Sequence, residues 1–248
     1  MIESNISVIC VSNNEEQVKT ELIPSLNFQK VNFELIILDN KDNRFSSAAE
    51  ALNYGVSISK GDILIFSHQD ITLKTDEELE KFSSCIEKTK IGDIVGTQGV
   101  VEKDKRLYSN LTGGKPITMS IVNDYLDDIY EVTCVDEGLF GMKRETWKQH
   151  HFNEELCDNW HLYCVEVCLY ARLNGHKVYV SPIQVHHSSM GHISIGYMNN
   201  LKRLCKTYRR NFRYIWTTCY KVRTNPLYIN GLIVLWKCNR ILHGRSLN

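Results

Sequence analysis

Short apolar runs alternate with longer amphipathic stretches along the first hundred residues. The runs are short enough, and rich enough in aliphatic side chains, for buried strands: Ile6–Val11, Glu34–Leu38, Ile63–Ser67 and Ile94–Gly96. The stretches between them have the mixed pattern of helices: residues 15–25, 46–59 and 76–89. Regular alternation of strand and helix predicts an α/β fold, with a mixed, mainly parallel sheet flanked by helices.

Polar side chains follow three of the predicted strands directly. Ser12–Asn14 ends the first strand, Asp39–Asn40 the second, and His68–Asp70 the third. The carboxyl ends of parallel strands share one edge of a sheet, and ligands bind beyond that edge. We therefore expect these three clusters to meet at one site.

The second half of the chain predicts helices at 144–150 and 160–174, the latter stopped by Gly175. A late strand at 177–180 precedes the pair His186-His187. From residue 196 onward the chain is basic, aromatic and predicted to be helical. We divide it into a domain over 1–195 and an extension over 196–248.

Charge is distributed unevenly although the formal net charge is zero. All 29 acidic residues lie at or before Glu166, whereas residues 167–248 contain 13 Lys and Arg and no acid. Cations interleaved with aromatic and aliphatic side chains are typical of a helix on an anionic membrane surface. Packing against the acidic domain, or in a homodimer, is the alternative. A nucleic-acid partner is not expected, because no binding motif accompanies the charge.

Neither a membrane span nor a secretion signal is predicted. No window of about 18 apolar residues exists, and Glu3 stands where a signal peptide would be basic. We therefore expect a cytoplasmic protein, peripheral at the membrane. None of the nine cysteines forms a CxxC pair, which predicts buried, reduced thiols.

Three blocks of sequence resemble the GT-A (Rossmann-like) fold of family 2 glycosyltransferases over roughly residues 5–192. They are ISVICVSNN with ELIILDN, then AAEALNYGVSISKGDILIFSHQDITL, then DEGLFGMKRETWKQHHFNEELCDNWHLYCVEVCLYARLNGHKVYVSPIQVHHSS. The last block is similar to a bacterial branch in which Trp-His-x-Tyr occupies the usual acidic motif.

The resemblance implies transfer of a sugar from a nucleotide donor, with a UDP-sugar favoured. The acceptor would be a glycan or a lipid-linked glycan in bacterial surface polysaccharide synthesis. One alternative is a catalytically silent GT-A protein that binds nucleotide or acts as a scaffold. Another is a nucleotidyltransferase, although no Gly-rich signature loop follows the first strand.

The family usually holds Mn²⁺ or Mg²⁺ with an Asp-x-Asp motif, and the matching triplet here is His68-Gln69-Asp70. Asp70 supplies a carboxylate, and His68 replaces the first Asp. Mn²⁺ also accepts imidazole, so the resemblance adds His186 or His187 as a ligand. Adjacent residues on a strand point oppositely, which favours His187. A structural role for Asp70 as a loop or cap carboxylate stays open.

The resemblance also places donor contacts and catalytic groups. Its nucleotide and donor contacts are Val11, Ser12, Asp39, His68, Gln69, Asp70 and Trp160, the last by stacking on a sugar ring. The structural alternatives are a turn residue for Asp39, a structural hydrogen bond for His68 and a core position for Trp160. Inverting transfer needs a general base, and no Glu-Asp pair stands in the expected region. The candidates for the base are Asp158, His161 and Glu166. Asp136 matches a carboxylate near the acceptor and the donor sugar, with capping of a strand end as its structural alternative.

Overall fold

The computed structural model describes residues 5–103, 106–113, 126–189 and 193–247. The strands are Ile6–Ser12 (β1), Glu34–Asp39 (β2), Ile63–Ser67 (β3), Ile71–Leu73 (β4), Ile94–Gly96 (β5), Gln98–Val100 (β6), Leu107–Ser109 (β7), Leu111–Thr112 (β8), Tyr130–Val132 (β9), Cys134–Val135 (β10), Leu139–Lys143 (β11), Val178–Val180 (β12), Val185–His187 (β13), Tyr214–Trp216 (β14) and Lys221–Arg223 (β15). The helices are Glu15–Gln17 (α1), Ile23–Asn27 (α2), Ala48–Ile58 (α3), Glu78–Lys88 (α4), Arg144–Gln149 (α5), Tyr163–Leu173 (α6), Ile195–Tyr208 (α7) and Pro226–Leu242 (α8). A π-helical turn, Val18–Leu22, joins α1 to α2.

The central sheet has seven strands in the order β2-β1-β3-β11-β5-β12-β9. β1 pairs in parallel with β2 and β3, and β12 pairs in parallel with β5. β11 is antiparallel to both β3 and β5, and β9 is antiparallel to β12. Five strands therefore run in one direction, which confirms the mixed, mainly parallel α/β sheet.

Helix α3 shows how the sequence builds one of these layers. The Ser47 side chain accepts a hydrogen bond from the Glu50 N–H and so caps the first turn. Ala49, Ala51 and Val56 are fully buried on the face that meets the sheet. The small side chains let the helix approach β1 closely, and the N-terminal half of α3 thereby reaches the carboxyl edge of the sheet.

An aromatic cluster fills the core beneath that edge. The Phe66 ring stacks on Phe140 with centroids 4.9 Å apart and meets Phe152 edge-on at 5.0 Å. All three rings are at most 2 % exposed. Burying a side chain of this size stabilises the fold by about 2–3 kcal/mol, so the end of β3 has a rigid base.

The extension contains two helices and a hairpin. Residues 214–223, predicted to be helical, instead form the antiparallel pair β14 and β15. The prediction of an entirely helical extension is therefore wrong there. Alternating burial explains the hairpin, because Ile215 and Val222 are fully buried while Arg223 faces out.

Side chains of the extension belong to the main core. Leu201, Leu204, Ile215, Trp216 and Ile229 are at most 2 % exposed and pack in one cluster with residues of the central sheet. No helix within the described ranges is long and apolar enough to cross a bilayer. Of the nine cysteines, seven are buried, Cys219 is half-buried and Cys238 is exposed, and all are free thiols.

Candidate active site

A cavity of about 580 Å³ opens at the carboxyl edge of the central sheet. The loops after β1, β2 and β3 all contribute to its wall, as the predicted convergence of the polar clusters requires. The first turns of α3 and the segment before α6 complete it. Its lining residues are Val11, Ser12, Asn13, Gln17, Asn40, Lys41, Asn43, Ala48, Leu52, Phe66, Ser67, His68, Gln69, Asp70, Trp160, Tyr163 and Ser189.

Gln69 fixes the loop that follows β1. Its side-chain oxygen accepts hydrogen bonds from Ser12 Oγ at 2.8 Å and from the Asn13 and Asn14 N–H groups at 3.1 Å. Its amide nitrogen donates to Asn13 Oδ1 and Gln17 Oε1. The middle residue of the triplet therefore joins the ends of β1 and β3, and Val11 and Ser12 line the cavity from the end of β1.

His68, Asp70 and His187 come together at one end of the cavity. One ligand atom from each lies within 4.8 Å of the others. His187 arrives because β13 pairs antiparallel with β4, which sets His187 opposite Ile71, the residue after Asp70. We call these three residues the triad.

His186 points away from the triad. Its Nδ1 lies 3.2 Å from Thr112 Oγ1 on the neighbouring strand β8. The alternation of side chains along β13 thus separates the two histidines, as predicted, and His187 is the one at the site.

The electrostatics of the triad favour one ionised carboxylate and one neutral imidazole. Burial would raise the pKa of Asp70, but the hydrogen bond and charge of His187, at 3.3 Å, and the Ser189 N–H hold it below its usual range. Burial would lower the pKa of His187, but Asp70 raises it. Burial and the His187 ring lower the pKa of His68, so that imidazole is neutral at pH 7.

The triad residues fit a divalent cation. Two imidazole nitrogens and one carboxylate oxygen form a mixed donor set that borderline metals such as Mn²⁺ accept. The Tyr163 hydroxyl lies 3.2 Å from His68 Nε2 and orients that ring, as outer hydrogen bonds do around metal ligands. Asp70 is also a loop carboxylate, since it accepts from the Ser189 N–H, so its structural role exists beside this one.

Asp136, Glu137 and Gly138 bring two more carboxylates to the same edge, immediately before β11. Asp136 Oδ1 accepts from the Gly138 N–H at 3.1 Å, and Oδ2 accepts from the Thr218 hydroxyl at 2.6 Å. A Cβ at Gly138 would lie 3.3 Å from His187 Cε1 and 3.5 Å from Asp136 Oδ1. Asp136 therefore lies beside His187 of the triad. A side chain at position 138 would press on both residues.

The segment before α6 is held in an unusual conformation. Leu162 has φ of 67°, in the left-handed region that a non-glycine residue rarely adopts. The Glu137 carboxylate accepts from its N–H, and the Asn200 side chain donates to the His161 carbonyl. These contacts turn Trp160, 40 % exposed, into the wall of the cavity.

The other candidates lie further from the triad or are bound elsewhere. Asp39 is exposed and accepts from the Lys41 N–H, while the cavity wall is formed by Asn40 and Lys41. Asp158 pairs with Arg203, and the His161 ring packs edge-on against Tyr197. Glu166 is 1 % exposed; its carboxylate contacts His150 Nε2 at 2.8 Å and accepts from the Tyr208 hydroxyl at 2.7 Å.

Reasoning from the sequence missed several residues of the site. Lys41 directly follows the predicted cluster Asp39–Asn40, so the strand-end pattern contained the signal for it. Tyr163 lies within the Trp-His-x-Tyr segment that carried the resemblance. Glu137 had no such signal, because its importance depends on the turn at Leu162.

A model of a glycosyltransferase-like family matches residues 7–208, which is most of the chain and includes every residue of the triad. The chain belongs to this glycosyltransferase-like family. The family prediction is therefore confirmed. The comparison with curated proteins found no match.

Solved structures confirm the GT-A fold of this glycosyltransferase-like chain. GalNAc-T7 with UDP, GalNAc and Mn²⁺ superposes with a TM-score of 0.59 at 12 % identity, over 81 % of this chain and 47 % of that one. TarS 1–349 of S. aureus, in complex with UDP-GlcNAc, superposes with a TM-score of 0.57 at 14 % identity, over 84 % of this chain and 67 % of that one. The chain thus spans about half the length of the GalNAc-T7 chain, and at such identities the likeness shows the fold.

Proposed function

We propose that the protein transfers a sugar from a UDP-sugar to a hydroxyl group of a glycan or lipid-linked glycan. The observation that carries the proposal is the triad, with ligand atoms within 4.8 Å at the end of a cavity on the carboxyl edge of the sheet. The two structural neighbours bind UDP or UDP-GlcNAc. The family assignment favours glycosyl over nucleotidyl transfer.

In this proposal each part of the donor has a place in the cavity. Val11, Ser12, Asn40 and Lys41 contact the nucleoside from the cavity wall. Asp39 lies outside the lining and holds the turn by accepting the Lys41 N–H. His68, Asp70 and His187 hold Mn²⁺ or Mg²⁺, which when bound neutralises the charge of the leaving diphosphate. Trp160 offers a stacking face to the donor sugar.

In this proposal Asp136, the carboxylate expected near the acceptor and the donor sugar, is the general base in place of Asp158, His161 and Glu166. It adjoins the triad, and the Thr218 hydroxyl orients its carboxylate. In an inverting reaction it takes the proton of the acceptor hydroxyl while that oxygen bonds to the anomeric carbon. The bond from that carbon to the diphosphate oxygen breaks, and UDP leaves. The assignment to bacterial surface polysaccharide synthesis rests on the family resemblance.

Adjacent histidines give a matched pair of variants to test the site. We expect His187→Ala to lower the Mn²⁺-dependent affinity for UDP by about tenfold or more. His186→Ala, on the other face of β13, should leave it unchanged. Calorimetric titration of UDP with and without Mn²⁺ measures both, and equal behaviour of the two variants would remove the triad from the metal site.

Turnover separates an enzyme from a silent nucleotide-binding protein. The triad has a single carboxylate where the family usually has two, which is the observation in favour of the silent alternative. Release of UDP from a panel of UDP-sugars, followed with and without acceptor glycans, distinguishes them. UDP binding without turnover on any donor would favour the silent protein, and loss of turnover in Asp136→Asn with UDP binding intact would support the base.

A further inference from the structure

Helix α8 presents an apolar surface to solvent along its whole length. Leu227, Leu235 and Leu242 are 83 %, 70 % and 82 % exposed. The exposed apolar positions recur every three or four residues, so they share one side of the helix. We call this side the outer stripe; its residues are Leu227, Tyr228, Gly231, Val234, Leu235, Cys238, Ile241 and Leu242.

The outer stripe is additional to the face by which α8 packs on the protein. Ile229 and Ile233 are buried, and Leu232 and Trp236 are partly buried against the core. At about 100° per residue these four positions lie opposite the outer stripe, which itself covers about 140° of the helix. A surface helix needs one apolar face to fold onto a domain, so the second face requires another partner.

Four arginines surround the beginning of α8. Arg209, Arg210, Arg213 and Arg223 are exposed and line an open cavity of about 620 Å³ that also includes Asn225 and Pro226, where the helix starts. We call this cavity the arginine basin. None of the ion pairs formed by the described residues uses a cation after Arg203. Among the described residues, no carboxylate therefore pairs with the four arginines of the basin, and their guanidinium groups can bind an external anion.

We propose that the outer stripe and the arginine basin dock the protein on an anionic phospholipid bilayer. α8 would lie in the plane of the interface, with Leu227, Leu235 and Leu242 among the acyl chains. The basin, at one end of the helix, would hold lipid phosphates at the depth of the headgroups. A bilayer has an apolar layer bordered by anionic headgroups. The outer stripe matches the apolar layer, and the arginine basin matches the headgroups.

Charge argues against a second copy of the chain as the occupant. A two-fold contact through the outer stripe would bring the same patch from both copies together. No acidic residue occurs after Glu166, so the local segment would meet its own positive charge. Nucleic acid would satisfy the arginines but would leave the outer stripe in water.

Substitution of the outer stripe tests the proposal with the full-length protein. We expect co-sedimentation with phosphatidylcholine vesicles that contain phosphatidylglycerol, and much weaker binding to pure phosphatidylcholine. Leu235→Glu should reduce the binding by about tenfold or more, because a carboxylate would enter the apolar layer. Phe28→Glu is the matched control, since Phe28 is also exposed, at 68 %, but lies at the end of α2, and it should bind as the original protein does.

Reversal of charge in the basin tests the electrostatic half. The double change Arg209→Glu and Arg210→Glu should abolish the preference for phosphatidylglycerol, whereas Lys88→Glu on α4 should keep it. Inorganic phosphate at moderate concentration can compete with the vesicles for the basin. If it displaces the protein from the vesicles while Leu235→Glu has no effect on vesicle binding, the basin is a site for free phosphate and the bilayer proposal fails.

Cys238 provides a direct readout of insertion because it lies within the outer stripe and is the exposed thiol. An environment-sensitive fluorophore on Cys238 should shift to shorter wavelength with phosphatidylglycerol vesicles and remain unshifted with phosphatidylcholine alone. No shift despite vesicle binding would overturn the insertion of the stripe. Light scattering without lipid gives the remaining test: a dimer that Leu235→Glu converts to monomer, without vesicle binding, would assign the stripe to a second copy.

Discussion

Among single residues, Glu137 combines an unfavourable environment with a structural task. Burial and the neighbouring Asp136 raise its pKa well above the usual value. Its carboxylate nevertheless accepts the N–H of Leu162, whose left-handed backbone carries the segment with Trp160 into the cavity. Glu137 thus stabilises the cavity wall while its ionised form costs the fold free energy.

The raised pKa of Glu137 predicts a pH dependence of stability. A carboxyl group whose pKa is higher in the folded than in the unfolded protein lowers stability as pH rises above the unfolded value. Glu137→Gln keeps an acceptor for the Leu162 N–H but cannot ionise. We expect its Tm, measured without metal, to exceed that of the original protein at pH 7 and above and to converge with it near pH 4. A constant difference across this range would contradict the assignment.

Glu166 has the opposite character, since its carboxylate is fully used inside the protein. It contacts His150 beyond the end of α5 and Tyr208 at the end of α7, and so connects both to α6. We expect Glu166→Gln to lower the free energy of unfolding by about 1–3 kcal/mol. UDP affinity at a temperature where the variant is folded should be unchanged, as measured by urea titration beside calorimetry. A loss of turnover without a loss of stability would instead support Glu166 as the base.

At the residue scale, the sequence pattern predicted those cavity-lining residues that lie at or just after the end of a strand. Ser12 is the last residue of β1, Gln69 and Asp70 lie in the short loop after β3, and His187 was distinguished from His186 by the alternation of side chains along a strand. Glu137 could not be found in this way, because its role depends on a turn that is distant in sequence. Long-range contacts of that kind are outside what local spacing specifies.

At the scale of elements, the packing of α3 on β1 depends on a helical glycine. A Cβ at Gly55 would lie 2.6 Å from Ile9 Cγ2, on the buried face of the strand. Glycine is otherwise unfavourable within a helix, by about 1 kcal/mol relative to alanine. Close approach of helix and strand therefore outweighs helix propensity at this position.

Two glycines in helices make a controlled comparison. We expect Gly55→Ala to destabilise the protein by about 1–3 kcal/mol, because the overpacked methyl group exceeds the gain in propensity. Gly231→Ala in α8, where nothing lies within 4 Å of the new methyl, should be neutral or stabilising by up to about 1 kcal/mol. Chemical denaturation measures both. If Gly55→Ala were as stable as Gly231→Ala, the close contact would not exist in solution.

Helices and strands with a clear hydrophobic pattern could be predicted from the sequence. Strands that exist only because they pair with residues distant in sequence could not. β1, β2 and β3 have continuous apolar runs, and both of their ends were predicted to within about a residue. For β5 the beginning at Ile94 was predicted. β11 lacked a prediction because its sequence, LFGMK, is a strand only between β3 and β5. The hairpin of β14 and β15 was mistaken for helix, because aromatic residues among cations fit both periods over so short a length.

At the scale of the whole molecule, the cationic extension is part of the folded core. Ile215, Trp216 and Val222 are at most 2 % exposed in the cluster that includes the central sheet. The family match ends at residue 208, before these side chains. Removal of the extension is therefore a test of folding, and point changes on the outer stripe are the proper test of docking.

Truncation should show this dependence. A chain that ends after Arg209 would lose five buried apolar side chains, from Ile215 to Ile233, which is about 8–15 kcal/mol of burial and equals the stability of a typical domain. We expect it to unfold without a cooperative transition in circular dichroism. A chain that ends after Gly244 keeps those side chains and should melt cooperatively. A sharp transition in the shorter chain would show that residues 1–209 are an independent folding unit.

The strands of the central sheet are synthesised in a different order from the one in which they lie side by side. β2, β1 and β3 are complete once residue 67 has been made, but β11, the other neighbour of β3, ends only at Lys143, and β12, the other neighbour of β5, ends at Val180. During that interval β3, whose five residues are all buried in the finished protein, is an unprotected edge that invites pairing with other chains. Residues 1–138, which are made before β11, contain 24 of the 29 acidic residues and none of the cationic extension. Mutual repulsion between such acidic nascent chains opposes their aggregation until β11 has been made and covers β3.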